Sequence, residues 1–211
     1  PSLSPSPPPS ALLSIAGYTT TQGSALSNGN DGGTMTFPAY SYTCEEISCP
    51  AGFLPAEFTT ISTGALTMDW KFNGAAAVGT KVYFAPNNAD VVGVLDTETN
   101  AFDASISTGA LTMDRKFAGA AAVGTKVYFA PYNADVVGVL DTETNAFDAS
   151  ISTGALTMDA KFIGAAAVGT KVYFAPLYAD VVGVLDTETN AFDASISTGA
   201  LTMNYKFAGA A

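Results

Sequence analysis

Four carboxylates, Asp90, Asp96, Glu98 and Asp103, recur at a 45-residue spacing in three successive copies. Paired carboxylates can cleave a glycosidic bond, one acting as acid and the other as base or nucleophile. That chemistry needs one asymmetric pair whose environments drive the two pKa values apart. Here the set is copied in every repeat, so it reads as turn formers and solvated charge. Asp96 and Glu98 sit in the turn-rich run DTETN, 96–100. The chain has no histidine, which removes the commonest general base and a common zinc ligand. Its many serines and threonines therefore lack the usual activating base, and no glycine-rich phosphate loop leads into a helix. NGNDGG at 28–33 lacks the alternating carboxylates of a calcium loop. The expectation is a protein that is not an enzyme and takes no metal or cofactor.

Recognition chemistry is better represented. The copies at 71–115, 116–160 and 161–205 differ at only five positions, and a fourth copy begins at 206–211. The first variable position holds Asn73, Ala118 and Ile163. The next holds Asn87, Tyr132 and Leu177, and its neighbour holds Asn88, Asn133 and Tyr178. Asp114 and Asp159 become Asn204. The last position holds Arg115, Ala160 and Tyr205, with Trp70 in the same place ahead of the first copy. Aromatic and arginine side chains are the usual anchors of protein and glycan recognition. The candidate binding residues are therefore Trp70, Asn73, Asn87, Asn88 and Arg115, with Tyr132, Asn133, Leu177, Tyr178 and Tyr205. Drift confined to tolerant loops after a recent duplication is the competing explanation.

These residues need elements to hold them. A period of this length points to a supersecondary unit that buries its apolar face by stacking on a neighbour. Each copy carries four strand candidates: 72–79, almost all small residues; 81–86; 91–96, apolar on both faces; and 101–107, where Phe102, Ala104 and Ile106 alternate with Asp103 and Ser105. A strand of small residues, then two buried strands, then a half-wet one is the order a radial propeller blade requires, with the Gly/Ala strand lining a narrow channel. Strands in a blade alternate in direction. The loop after 81–86 and the loop leading to the next blade then share one face, and every variable position falls on or beside it. The DTETN face is identical in each copy. The expected fold class is all-β, with four-stranded propeller-type blades over 57–211 and a small β-rich cap or docking module over 11–56.

The string VYFAPNNADVVGVLDTETNAFDASISTG, 82–109, resembles the YVTN-type β-propeller repeat, with its V-Y-V-x-N core, V-x-V-I-D-T stretch and closing strand ending in glycine. The resemblance covers most of each repeat and nothing before residue 57. It implies propellers on cell-surface or secreted proteins. Phe84-Ala85-Pro86 departs from the family's V-x-N ending, and the fourth strand is one residue longer than EFTTI at 57–61, which predicts a bulge.

The remaining features bear on location. Charged residues are 13% of the chain and the formal charge is −11, so no basic patch is available for nucleic acid. No stretch has the length and apolarity of a membrane span. Residues 1–10, PSLSPSPPPS, form an extended Pro/Ser stalk. SPSPPPS resembles hydroxyproline-rich wall glycoproteins, which implies O-glycan at Ser4, Pro5, Ser6, Pro7, Pro8, Pro9 and Ser10. Cys44 and Cys49 read as a local disulfide in an oxidising compartment. The functional expectation is an extracellular structural or adhesive repeat glycoprotein of a surface, wall or fibril. Its partners are copies of itself, or other surface proteins and glycans. The alternative is a soluble binding module whose variable face recognises a glycan or small ligand.

Overall fold

Valine, tyrosine and phenylalanine favour extended backbone because branched and ring side chains pack well on a pleated surface. They dominate 81–86 and 91–96, which form β2 (Lys81–Pro86) and β3 (Val91–Asp96) between β1 (Phe72–Val78) and β4 (Phe102–Ser107). The second copy folds as β5 (Phe117–Val123), β6 (Lys126–Pro131), β7 (Val136–Asp141) and β8 (Ala146–Ser152). The third gives β9 (Phe162–Val168), β10 (Lys171–Pro176), β11 (Val181–Asp186) and β12 (Ala191–Ser197). Each copy is one four-stranded antiparallel sheet in simple sequential order, as the repeat predicts. This is a computed structural model that describes residues 60–210. The Pro/Ser stalk with its glycan positions, the 11–56 module and the Cys44–Cys49 loop lie outside the described residues.

Each sheet carries two irregularities. In β1 the register runs Phe72↔Pro86 and then Ala75↔Phe84, so Asn73 and Gly74 oppose Ala85 alone. In β4 the register runs Val92↔Ile106 and then Val94↔Asp103, so Ala104 and Ser105 oppose Gly93. The second is the bulge expected from the length of the fourth strand. Its loop is tied locally, because the Ser105 N–H donates to Asp103 Oδ1 at 2.8 Å.

One face of each sheet packs on the opposite face of the next. Tyr83, Val92, Val94 and Ile106 meet Phe117, Val127, Phe129 and Leu140. Tyr128, Val137, Val139 and Ile151 repeat the joint against Phe162, Val172, Phe174 and Leu185. Within a sheet, Phe72, Phe84 and Phe102 gather with ring centroids 5.8 to 6.2 Å apart. They need Gly93, since a Cβ there would lie 2.7 Å from Phe72 Cζ and 2.8 Å from Phe102 Cζ.

The inner strands approach until backbone touches backbone. A Cβ on Gly74 would sit 2.6 Å from Gly119 Cα, and one on Gly119 would sit 2.4 Å from Gly164 Cα. These glycines also hold positive φ, 85°, 107° and 81°, where L side chains are disfavoured. They and the alanines beside them line a channel of about 190 Å³. The sheets are therefore wedges around an axis, thin at the Gly/Ala strand. In the middle sheet Ala118 and Ala121 are buried, whereas Ala75 and Ala77 of the first are exposed on its open flank.

A lysine fastens each blade to the one before it. Lys116 Nζ lies 2.7 Å from Asp90, Lys161 Nζ 2.8 Å from Asp135 and Lys206 Nζ 2.8 Å from Asp180, each lysine side chain fully buried and each aspartate at least half exposed. The same ammonium groups donate to carbonyls of the preceding loop, such as Ala89 O at 3.2 Å and Tyr178 O at 2.9 Å. Among the described residues, no helix is long and apolar enough to cross a membrane.

Candidate functional site: the axial cavity

The β2–β3 loop of one blade and the segment leading into the next blade are joined by hydrogen bonds. Lys116 N donates to Asn87 O at 3.0 Å, and Arg115 N donates to Asn88 Oδ1 at 3.0 Å. The same pairing recurs one blade on, with Ala160 N on Asn133 Oδ1 at 3.1 Å. This contact brings three of the five variable positions together around the axis. There the chain forms an open cavity of about 490 Å³ whose wall includes Trp70, Asn73, Asn87 and Arg115 from the first half, and Tyr132, Ile163, Leu177 and Tyr205 from the second. Lys206, Phe207 and Ala208 of the fourth copy complete it.

Seven of the ten expected binding residues thus share one cavity wall: Trp70, Asn73, Asn87, Arg115, Tyr132, Leu177 and Tyr205. Asn88, Asn133 and Tyr178 stand behind it. Asn88 Nδ2 donates to Asp69 O at 3.0 Å and Asn133 Nδ2 to Asp114 O at 3.3 Å, so these two amides bridge adjacent blade segments. Tyr178 packs edge-on to Tyr205 with ring centroids 5.0 Å apart. Its phenol is held above the ordinary tyrosine range, first by hydrogen bonding with Tyr205 and then by desolvation. Asn87 is buried and its amide donates to Phe117 O at 2.9 Å.

Sequence reasoning missed two residues of the wall and one property of its backbone. Ile163 enters the wall at the position of Asn73, and Lys206 enters as the third inter-blade lysine. Period alone signalled the lysine, which opens every copy, but an identical residue in each repeat also fits a solvated charge. The backbone carries a further missed feature, which is conformational. Trp70, Arg115, Ala160 and Tyr205 all hold φ between 52° and 58°. That left-handed backbone costs an L residue about 1–2 kcal/mol and is an outlier for a bulky side chain. Glycine or asparagine is the usual occupant. None of the four copies has either.

The opposite face has a different explanation. Asp96 Oδ1 accepts from the N–H groups of Glu98 and Thr99, each at 3.0 Å, and Thr97 Oγ1 donates to Thr80 O at 2.7 Å. Asn100 holds φ 56°, a conformation asparagine tolerates. The backbone N–H of Thr99 is the main cause that holds the Asp96 carboxyl below its usual range. The equivalent bond from Thr189, with Lys171 beside it, takes Asp186 down to about 2. The constancy of DTETN is therefore a requirement of its turn.

No family model matches the chain, and no curated protein matches it in sequence. Solved structures resemble it in fold. Hydrazine synthase of Kuenenia stuttgartiensis aligns with a TM-score of 0.51 at 17% identity, over 70% of this chain and 40% of that one. A streptogramin B lyase aligns at 0.52 and 16%, over 62% and 42%. Virginiamycin B lyase from Staphylococcus aureus aligns at 0.50 and 11%, over 61% and 42%. The chain thus spans about two-fifths of the length of these proteins, with 40% of one and 42% of the other two covered. The likeness establishes a β-propeller-type fold and no more. It also corrects one expectation. The sequence reading excludes catalysis, yet these solved structures are enzymes on this architecture. The exclusion rested on carboxylates recurring in every blade and on the absence of histidine and of a phosphate loop. It fails because enzymes are built on this architecture, so the fold itself does not exclude catalysis.

Proposed function

We propose that the chain is part of a propeller-type binding module, on an extracellular or cell-surface protein, that holds a small ligand or sugar ring in its axial cavity. One observation carries this reading. Three of the five positions at which otherwise identical repeats differ converge on one cavity, and one of them places Trp70, Arg115 and Tyr205 on strained backbone. Drift in a tolerant loop does not favour large side chains at φ near 55°. Strain of this kind persists where surrounding structure over-determines it, and such positions cluster at ligand clamps. Screening glycan and small-molecule collections against wild type and Tyr132→Ala tests the reading. The expected result is a ligand lost in the variant with the melting temperature unchanged. Ligands bound equally by both proteins would defeat it.

A second reading, a structural or adhesive surface protein of the YVTN type, draws on the end blades. The phenyl face of the first sheet, with Phe72 and Phe84 half-buried, is one half of the inter-blade joint. Ile196 of the third sheet, 47% exposed, lies on the other half. Copies joined through these halves would propagate head to tail. The supposed stalk glycans and disulfide add to this reading from outside the described residues. Electron microscopy of the native protein decides it, and discrete particles in every field would remove the filament.

A further inference from the structure

The geometry points to a ligand for this cavity that carries a single carboxylate on a flat or ring-shaped body, an inference that rests on the axial cavity being the binding site. Arg115 is the chain's one arginine, and it stands in the cavity wall. Among the described residues its charge makes no ion pair. The ion pairs among the described residues join Lys116 to Asp90, Lys161 to Asp135, Lys171 to Asp186 and Lys206 to Asp180. Lys206, the other cation of the wall, is thus neutralised at 2.8 Å by Asp180. Among the described residues no aspartate or glutamate lines the cavity, in a chain whose formal charge is −11.

A guanidinium unpaired among the described residues therefore marks a place where an acidic protein accepts an anion. Its planar fork matches a carboxylate with two parallel hydrogen bonds, a geometry no lysine offers. Trp70, Tyr132 and Tyr205 supply ring faces for stacking, and Leu177 and Ile163 supply apolar wall. A cavity of about 490 Å³ is of the size that takes small organic ligands. The number of charges follows from the repeat. The four equivalent positions hold tryptophan, arginine, alanine and tyrosine, so one anionic group is read once, not once per blade. The surrounding negative charge disfavours ligands that carry several.

An aromatic acid and an acidic sugar share this chemistry, and one calorimetric experiment on the full chain separates them. The probes are 2-naphthoate with its neutral amide, and galacturonate with its methyl ester. One acid is expected to bind about 10- to 100-fold tighter than its neutral partner, the range of a charge-assisted hydrogen bond. Arg115→Gln should erase that preference and leave both the neutral partner's affinity and the melting temperature unchanged. The acid that binds identifies the source. Equal binding of acid and neutral partner, a preference that survives Arg115→Gln, or no binding of either acid overturns the inference. Neutral probes still lost on Tyr132→Ala would show that the cavity reading stands without it.

Discussion

Gly119→Ala measures how closely the blades meet at the axis. A Cβ at that position would lie 2.4 Å from Gly164 Cα and 2.6 Å from Gly164 N, and the neighbour is backbone that cannot rotate away. The residue also holds φ 107°. Gly124, at φ 59° with nothing within 4 Å of the added atom, is the internal control. Both substitutions incur the left-handed penalty of about 1–2 kcal/mol. Only Gly119→Ala adds overpacking, worth about 1–3 kcal/mol. The expected losses are about 1 kcal/mol for Gly124→Ala and about 3–4 kcal/mol for Gly119→Ala. At roughly 2–4 °C per kcal/mol for a domain of this size, the melting temperatures should fall by about 3 °C and about 10 °C. Urea titration of the two variants beside wild type gives the difference directly. Equal losses would mean that the inner strands do not approach, and the wedge geometry would have to be abandoned.

Other consequences can be checked with similar assays. Lys161→Ala removes a buried ammonium from Asp135 and from Met158 O at 2.7 Å, and should cost about 2–3 kcal/mol by urea titration. Lys71→Ala, whose ammonium reaches only its own Met68 O among the described residues, should cost under about 1 kcal/mol. Parity between the two would sink the inter-blade clasp. Asp96, Asp141 and Asp186 have lowered folded pKa values, that of Asp186 about 2. Depressed carboxylates contribute stability above the unfolded value of about 3.9, and lose it as pH falls through the folded value. The melting temperature should therefore be flat down to about pH 4 and fall between about pH 4 and pH 2, less steeply in Asp186→Asn. An unchanged slope in that variant would contradict the assignment. Ala160→Gly, at φ 54°, should raise stability by about 0.5–1 kcal/mol once the entropy of glycine is offset. A loss of stability would show that this backbone is not strained.

Much of this architecture was legible because it depends on the period and side-chain size. Alternation along 101–107 gave β4, and one extra residue gave its bulge. The Gly/Ala run gave the channel strand, and direction reversal placed the variable loops on one face. The inter-blade clasp was not legible, because the Lys116–Asp90 distance is set by rotation between sheets and not by spacing along the chain. The roles of Asn88 and Asn133 were hidden for the same reason, since their amides act across a blade boundary. The left-handed backbone at Trp70, Arg115 and Tyr205 was hidden more deeply. Its usual marker is glycine or asparagine, and these positions carry neither. Catalysis was excluded from side-chain types alone, whereas solved enzymes share this fold.

One tryptophan and one arginine give the most direct test. In a two-dimensional proton–nitrogen NMR spectrum, the Trp70 indole and the Arg115 side-chain N–H each give a single unambiguous peak. Titration with the acid that binds in calorimetry should shift both peaks along the same saturation curve. Movement of backbone amides on the DTETN face while both side-chain peaks stay still would place recognition elsewhere on the molecule.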